Sequence, residues 1–149
     1  LCLCDWNEMP CAERNKLRLL RYIKAEFKIE TSSILEQTKK QLDEYFTGNR
    51  KTFDIPLHPV GTDFQKKVWN ALLDIPYSET RSYKEIAISM GTPNSTRAVA
   101  GAIGSNGISI LIPCHRVIGS NHSLTGFAGG LTTKRFLLEL EAEQKQHKC

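Results

Sequence analysis

The residues best suited to chemistry are Cys114 and His115, which stand side by side after the β-branched run at residues 108–112. We predict that this run is a buried strand and that Cys114 lies where it gives way to a loop, a common place for nucleophiles. A cysteine beside a histidine indicates a thiolate nucleophile with an imidazole base. The alternative is a small buried cysteine next to an unrelated surface histidine. Neighbours on a strand point to opposite faces, so cooperation requires a bend in the chain or a linking water.

The other cysteines bear on metal binding and redox state. The chain has five cysteines at irregular spacing, and no signal-peptide pattern precedes them. An odd number in such a chain favours reduced thiols over a disulfide framework. Cys2, Cys4 and Cys11 with His58 could supply zinc ligands, but no C-x-x-C or H-x-x-x-H spacing supports such a site. We therefore expect no metal, and we expect Cys149 to belong to a tail.

Length, charge and hydropathy limit what the chain can be. Its 149 residues suffice for one domain, or for one domain with a small neighbour. A net charge of +4, from 20 basic and 16 acidic residues, permits phosphate contacts without requiring them. No apolar run reaches the roughly 18 residues of a membrane span, so we expect a cytoplasmic protein, or a nuclear one if eukaryotic. The chain opens at Leu1 rather than at Met, which leaves open a targeting signal upstream.

The first third of the chain is predicted to be a small α/β region. Residues 1–6 have the pattern of a strand, and a helix after Pro10 is indicated by the spacing of Leu17, Leu20, Ile23 and Phe27. Ser33 and Glu36 have capping-box spacing, and Gly48 supplies a left-handed stop for a second helix. Its predicted apolar face consists of Ile34, Leu35, Thr38, Leu42, Tyr45 and Phe46. The extended stretch 53–60, with its two prolines, marks a domain boundary after residue 58.

Helices are predicted to dominate residues 59–149. Thr62 and Gln65 form a capping pair at the start of the first one. Its predicted buried stripe consists of Phe64, Val68, Leu72 and Leu73, and it ends before Pro76. A last helix is predicted from about Thr132. Its apolar side is predicted to consist of Phe136, Leu137 and Leu140.

Two short helices lie between these. Ser82 and Glu85 cap a helix that ends at Gly91, and Asn94 or Ser95 caps the next one. Two short helices joined by a tight turn with a glycine are typical of a helix-turn-helix.

Several ordered motifs resemble one known family. The run Pro113-Cys114-His115-Arg116-Val117 resembles the active-site signature of the O6-alkylguanine-DNA alkyltransferases, also called methylated-DNA-protein-cysteine methyltransferases. Further matching stretches are residues 61–69, 82–83, 95–99, 105–106, 126–130 and 134–141. The resemblance implies an α/β fold in two parts. Residues 1–58 would be the truncated end of a ribonuclease-H-like domain, and residues 59–149 a mostly helical catalytic domain with the helix-turn-helix.

The resemblance implies roles for five catalytic residues. Cys114 would accept the alkyl group, His115 would deprotonate it through a water, and Glu141 would hold the imidazole in the right tautomer. Tyr83 would donate a hydrogen bond or proton to the departing guanine. Asn106 would tie the DNA-binding unit to the active-site turn. Read without the family, Glu141 is a solvated carboxylate, Tyr83 a packing aromatic and Asn106 a loop residue.

The resemblance also implies DNA contacts. Arg97 would fill the gap left when the damaged nucleotide is flipped out, with its helix in the minor groove. Read without the family, the small residues beside Arg97 simply allow tight helix packing. Phosphate or sugar contacts are implied for Lys84, Thr92, Thr96 and Ser120.

The implied substrate pocket consists of Cys114, Val117, Ala128 and Gly129. The backbone carbonyls of Cys114 and Val117 would recognise the exocyclic amine of the base. Phe127 and Ala128 stand where members often carry Tyr and Ser, so we expect a less polar substrate loop.

Together these implications predict a single-turnover enzyme. It would bind double-stranded DNA as a monomer, without a cofactor or a membrane, and move the alkyl group of O6-alkylguanine irreversibly to Cys114. Activity on O4-alkylthymine is left open. The alternative is a non-catalytic alkylated-DNA-binding protein, which the presence of Cys114 disfavours. A cysteine hydrolase would not need a helix-turn-helix, and a plain DNA-binding regulator would leave Cys114 and Glu141 unexplained.

Overall fold

Helices supply most of the fold in the computed structural model, which describes residues 10–24, 26, 28 and 30–146. In chain order the helices are α1 (Pro10–Ile23), α2 (Ser33–Phe46), α3 (Asp63–Leu73), α4 (Tyr83–Ser89), α5 (Thr96–Gly104) and α6 (Leu131–Gln146). A 3-10 helix covers Cys114–Arg116. Two short strands, β1 (Arg81–Ser82) and β2 (Val117–Ile118), complete the described part. The predicted α/β class with a mostly helical second part is confirmed, and the predicted strand at residues 1–6 lies outside the described residues.

Helix α1 forms where it was predicted, and its predicted apolar face is only partly buried. Leu19 is buried whereas Leu17 is half exposed, and Phe27 lies outside the described residues. The guanidinium of Arg18 donates to the carbonyl of Ser105 and lies 5.8 Å from the ring centroid of Trp69. Helix α1 is therefore held against the end of α5.

Helix α2 begins one residue earlier than the spacing suggested. The cap is Ser32, whose hydroxyl accepts from the backbone N–H of Leu35 at 3.3 Å, and Gly48 ends the helix with φ +78° as predicted. The predicted apolar face is partly wrong. Ile34 and Phe46 are exposed, whereas the helix buries Thr38, Gln41 and Tyr45. Because this buried face contains polar residues, α2 does not pack against a purely apolar core.

Helix α3 has both hydrogen bonds of the predicted capping box between Thr62 and Gln65. Its buried residues are Val68, Trp69 and Leu72, while Leu73 is exposed, contrary to the prediction. The indole of Trp69 donates to the carbonyl of Ala102 at 2.8 Å. The buried ring of Trp69, with its N–H hydrogen-bonded to α5, stabilises the packing of α3 against α5.

Helices α4 and α5 form the predicted helix-turn-helix. Ser82 and Glu85 make both hydrogen bonds of a capping box, and Gly91 has φ +74° in the turn. Ser95 is the residue before α5, without a side-chain cap hydrogen bond. Val99, Ala102 and Ile103 bury one face of α5, which leaves Arg97 exposed on the other.

Residues 108–112 do not form the predicted strand. They are buried, but the chain turns back on itself, with hydrogen bonds from Leu111 N to Ser109 O and from Ile112 N to Ile108 O. Ile110 takes a φ of +71°, a conformation that a β-branched residue adopts only under tertiary constraint. The short sheet forms elsewhere, where Arg81 and Ser82 pair in parallel with Val117 and Ile118.

Helix α6 begins at Leu131, and its predicted apolar face is only partly correct. Leu137 is buried as expected, but Phe136 is 53% exposed, and the other fully buried side chains are Lys134 and Glu141. Residues 134, 137 and 141 share one side of a helix, so α6 presents two charged groups to the interior. Among the described residues, no helix is long and apolar enough to cross a membrane.

Candidate active site

Cys114 begins the 3-10 helix that follows the buried turn at residues 108–112, and its side chain is only 6% exposed. The backbone N–H of Cys114 donates to Ile112 O at 2.8 Å. On a 3-10 turn successive residues are about 120° apart, so Cys114 and His115 do not point to opposite faces as they would on a strand. The bend that cooperation between them requires is therefore present.

Asn106 ties the end of α5 to this turn. Its Oδ1 accepts from Ile108 N at 3.0 Å, and its Nδ2 donates to Ile112 O at 3.0 Å. Burial raises the pKa of the Cys114 thiol, while hydrogen bonds from Asn106 and Ser109 and the charge of Lys134 act in the opposite direction. A base within reach is needed to form the thiolate.

His115 is completely buried and pairs with Glu141 on α6, with Nε2 and Oε1 2.7 Å apart. Glu141 also accepts from Arg116, so it is a carboxylate and Nε2 must carry the proton. The other ring nitrogen, Nδ1, therefore carries a lone pair, and it is buried without a hydrogen-bond partner among the described residues. Burial lowers the pKa of His115, although the hydrogen bond to Glu141 acts in the opposite direction. The lowered pKa keeps the imidazole neutral and able to accept a proton.

Glu141 receives donors from four sources. Arg116 donates through Nε to Oε2 at 3.0 Å and through Nη2 to Oε1 at 2.9 Å. Ser78 N donates to Oε2 at 3.0 Å, and the hydroxyl of Tyr45 donates to Oε1 at 2.8 Å. Burial alone would raise the pKa of this carboxyl, but the hydrogen bonds and charges of His115 and Arg116 outweigh it and lower the pKa to about 2.

Tyr83 and Lys134 hold the loop in front of Cys114. The hydroxyl of Tyr83 donates to Thr125 O at 2.9 Å, and burial raises its pKa, so the phenol keeps its proton. Lys134 Nζ donates to the carbonyls of Val117, Thr125 and Gly126. Burial lowers the pKa of Lys134 to about 8, while the negative charge of a Cys114 thiolate would raise it. An ammonium group therefore lies where it favours that thiolate.

An open cleft of about 1010 Å³ leads to Cys114. Its walls come from the helix-turn-helix, the segment after α5, the loop 125–128 and Arg18 of α1. Arg97, Tyr83, Asn106 and Ala128 are among the residues that line it. The cleft thus joins the exposed side of the helix-turn-helix to the buried thiol.

Comparison with known proteins identifies this arrangement. The family description "6-O-methylguanine DNA methyltransferase, DNA binding domain" matches residues 63–143, and "6-O-methylguanine DNA methyltransferase, ribonuclease-like domain" matches residues 1–59. The chain belongs to the 6-O-methylguanine DNA methyltransferase family.

Individual members of the family are similar over most of the chain. A methylated-DNA–protein-cysteine methyltransferase of Methanosarcina barkeri is 56% identical over 113 residues, which cover 76% of this chain and 72% of that protein. A constitutive enzyme of the same name from Bacillus subtilis is 55% identical over 108 residues, covering 72% of this chain and 66% of that protein. The crystal structure of Mycobacterium tuberculosis OGT in complex with DNA is similar with a TM-score of 0.73 at 53% identity, covering 74% of this chain and 68% of that one.

The structure of this family member brings only some of the residues suggested by the resemblance to the cleft. Cys114, Tyr83, Asn106, Arg97, Thr96 and Ala128 line it. Lys84 and Ser120 are exposed, and Thr92 lies half buried in the turn of the helix-turn-helix, all outside the cleft lining.

Two suggested pocket residues, Val117 and Gly129, do not line the cleft either. The carbonyl of Val117 accepts from Lys134, and that of Cys114 accepts from Val117 N. Both carbonyls proposed to recognise the base therefore already have donors.

Four contributors to the site were missed in the sequence, and one of them is Lys134, whose burial on α6 no local pattern indicated. Arg116 stands inside the family signature, so its position next to His115 was a usable signal. Tyr45 had no such signal, because its spacing on α2 is that of an ordinary apolar face. Ser78 acts only through its backbone N–H, which sequence cannot distinguish from any other.

The zinc site considered for the N-terminal region is not addressed by the structure. Cys2 and Cys4 lie outside the described residues, as does the side chain of Cys11. Within the described part of the chain, no group of three or more histidine, cysteine, aspartate or glutamate side chains is placed to hold a metal ion.

Proposed function

We propose that the chain repairs DNA by moving the alkyl group of O6-alkylguanine to the sulfur of Cys114. The observation that carries this proposal is a buried thiol at the end of an open cleft, on the same turn as an imidazole held by Glu141. The relatives named above are methylated-DNA–protein-cysteine methyltransferases, and this chain shares that activity. The M. tuberculosis structure contains DNA, which supports DNA as the partner here.

The first step is removal of the thiol proton. The neutral His115 accepts that proton at Nδ1 through a water, while Nε2 keeps its hydrogen bond to Glu141. The imidazolium that forms is stabilised by the adjacent carboxylate. Lys134 favours the thiolate electrostatically from the loop side.

Alkyl transfer then forms one bond and breaks another. The thiolate attacks the alkyl carbon, a sulfur–carbon bond forms, and the bond from that carbon to guanine O6 breaks with its electrons on the base. Tyr83 lines the cleft and donates a hydrogen bond or a proton to the departing guanine. The product is a thioether that has no route back to a thiol, so each molecule reacts once and needs no cofactor.

The damaged nucleotide has to leave the duplex to react. Cys114 is only 6% exposed, so a stacked base cannot reach it, and the cleft has room for a flipped base. Arg97 is exposed at the start of α5, where it fills the gap in the base stack. The small residues of α5 suit an approach to the minor groove, and we propose that a monomer suffices.

The decisive experiment measures intact mass after incubation with a duplex that contains one O6-methylguanine. We expect one added methyl group per chain, located on Cys114 by peptide mapping among the five cysteines. Undamaged duplex and Cys114→Ala should give no added mass. Tight binding of damaged DNA without a mass change would instead indicate a non-catalytic alkylated-DNA-binding protein. A parallel duplex with O4-methylthymine tests the wider substrate range.

A further inference from the structure

Tyr45 belongs to α2, far from the catalytic segment in sequence, yet it contacts the centre of the catalytic network. Its side chain is completely buried, and its hydroxyl donates to Glu141 Oε1 at 2.8 Å across 96 residues of sequence. The same oxygen receives the hydrogen bond from His115 Nε2 at 2.7 Å. Tyr45 and His115 therefore compete for electron density on a single carboxylate oxygen.

We propose that Tyr45 is a positioning residue that sets the proton affinity of His115 through Glu141. The N-terminal region would then contribute to alkyl transfer directly, in addition to any part it has in folding. This inference rests on the function proposed above, in which His115 removes the thiol proton.

Few other groups contact the pair formed by His115 and Glu141 among the described residues. Arg116 donates to both oxygens of Glu141, and Ser78 contributes a backbone N–H. Lys134 adds a positive charge on the His115 side, and the Tyr77 ring contacts both the Tyr45 ring and the Arg116 guanidinium. Apart from His115 itself, the phenol of Tyr45 is the neutral side-chain donor to the carboxylate among the described residues.

The phenol keeps its proton throughout the working range. Burial raises the pKa of Tyr45, and the adjacent charge of Glu141 raises it further. Tyr45 consequently acts as a constant donor that withdraws electron density from Glu141. Because a carboxylate with less density supports an imidazolium less strongly, this donor lowers the pKa of His115 and keeps the base neutral.

Aromatic neighbours hold the ring of Tyr45 in place. Phe46, Phe53 and Tyr77 surround it with ring centroids at 5.4, 5.6 and 6.2 Å. A phenylalanine at position 45 would keep these contacts and lose only the hydroxyl. Tyr45→Phe therefore separates the hydrogen bond from the packing.

The test measures the pKa of His115 by NMR of its imidazole and, separately, the single-turnover rate of alkyl transfer against pH. We expect Tyr45→Phe to raise the pKa of His115 and to move the acidic limb of the rate profile upward by about half a pH unit. The matched control is Tyr77→Phe, because the Tyr77 hydroxyl is buried nearby but makes no hydrogen bond among the described residues. In Tyr77→Phe, the pKa of His115 and the acidic limb of the rate profile should coincide with those of the unaltered protein.

A second variant covers the case in which Tyr45→Phe does not fold. Replacement of Tyr45 by 3-fluorotyrosine keeps the ring and strengthens the donor, so the pKa of His115 should fall. A change in rate that is the same at every pH, with an unmoved His115 titration, would show that Tyr45 is merely structural and would overturn the proposal. Absence of alkyl transfer would refute the proposed function. The NMR titration does not require alkyl transfer, so it would still test the effect of Tyr45 on His115 in an inactive protein.

Discussion

The two sides of Cys114 differ in how completely their polar groups are satisfied. Behind the thiol, His115, Glu141 and Arg116 are buried, and both oxygens of the carboxylate are hydrogen-bonded. In front of it lies an open cleft, where Arg97 is exposed and Tyr83 holds a single loop carbonyl. Behind the thiol, the carboxylate of Glu141 has all its donors in the free protein and only the Nδ1 of His115 lacks a partner among the described residues, whereas the front leaves room for a ligand.

This difference follows from what each side has to do. A base must keep one tautomer and one orientation before the substrate arrives, and a buried carboxylate that receives donors on both oxygens provides this rigidity. Groups that meet DNA need surfaces and donors that the ligand can use. Substitutions behind Cys114 should therefore impair the chemical step, while substitutions in front should impair recognition of the damaged base.

The largest effect is expected behind the thiol, for Glu141→Gln. The amide would lose the negative charge that holds the tautomer of His115, and it would leave the Arg116 guanidinium without a counter-charge. We expect the single-turnover rate at saturating DNA to fall by about 10³-fold. Affinity for damaged DNA, measured by fluorescence anisotropy, should change little. The matched control is Glu143→Gln on the same helix, where the carboxylate is exposed and the rate should be unaltered.

A smaller effect is expected from acid on stability. Glu141 has a folded pKa of about 2 against a reference of 4.5, so its contribution is complete above pH 4.5 and is lost as pH falls toward 2. That contribution is of the order of 3 kcal/mol. Burial also lowers the pKa of His115, whose reference is 6.5. Because the unfolded chain binds this proton more readily, stability should begin to decline below about pH 6.5.

Urea unfolding between pH 7 and pH 3 checks this prediction. The loss below pH 4.5 should be much smaller in Glu141→Gln, because that substitution removes the buried carboxylate. Asp43→Asn removes an exposed ion pair with Lys39 and should change stability by less than about 0.5 kcal/mol at any of these pH values. An equal effect of both substitutions would contradict the contrast between the buried network and the surface.

The smallest of the three effects is expected in front of the thiol, for Arg97→Ala. The proposed gap-filling role predicts that loss of this side chain weakens binding to an O6-methylguanine duplex by about tenfold. The defect should shrink when the damaged base sits opposite a mismatch, because such a base costs less to extrude. Lys84→Ala is the control, since loss of a phosphate contact would weaken binding to both duplexes alike. A defect of the same size on both duplexes would argue against gap filling by Arg97.

Local sequence signals accounted for the boundaries of most helices. The capping boxes at Thr62 and Ser82 and the left-handed glycines at positions 48 and 91 were readable because each involves residues only a few positions apart. Such hydrogen bonds form within one turn and need no other part of the fold. The position of Cys114 beside His115 was equally visible in the sequence, and the family signature gave it a chemical role.

Burial patterns were less predictable. Phe136 was expected to be buried and is exposed, while Lys134 and Glu141 on the same helix are buried. A charged side chain is buried only where partners elsewhere in the fold satisfy it. Lys134 finds the carbonyls of a loop, and Glu141 finds donors from separate segments. Spacing on one helix carries no information about those partners.

The sequence by itself determined the helix-turn-helix, the capping boxes of α3 and α4 and the adjacency of Cys114 and His115. Tertiary structure alone decided that residues 108–112 turn instead of forming a strand, and that Tyr45 reaches Glu141. The pair His115 and Glu141 is 26 residues apart, and Tyr45 and Glu141 are 96 apart. Contacts at such separations depend on how several elements pack together, because each partner is placed by a different helix or turn. Residues adjacent in the chain could therefore be identified from the sequence, whereas the contacts of Glu141 with His115 and Tyr45 were set only by the fold.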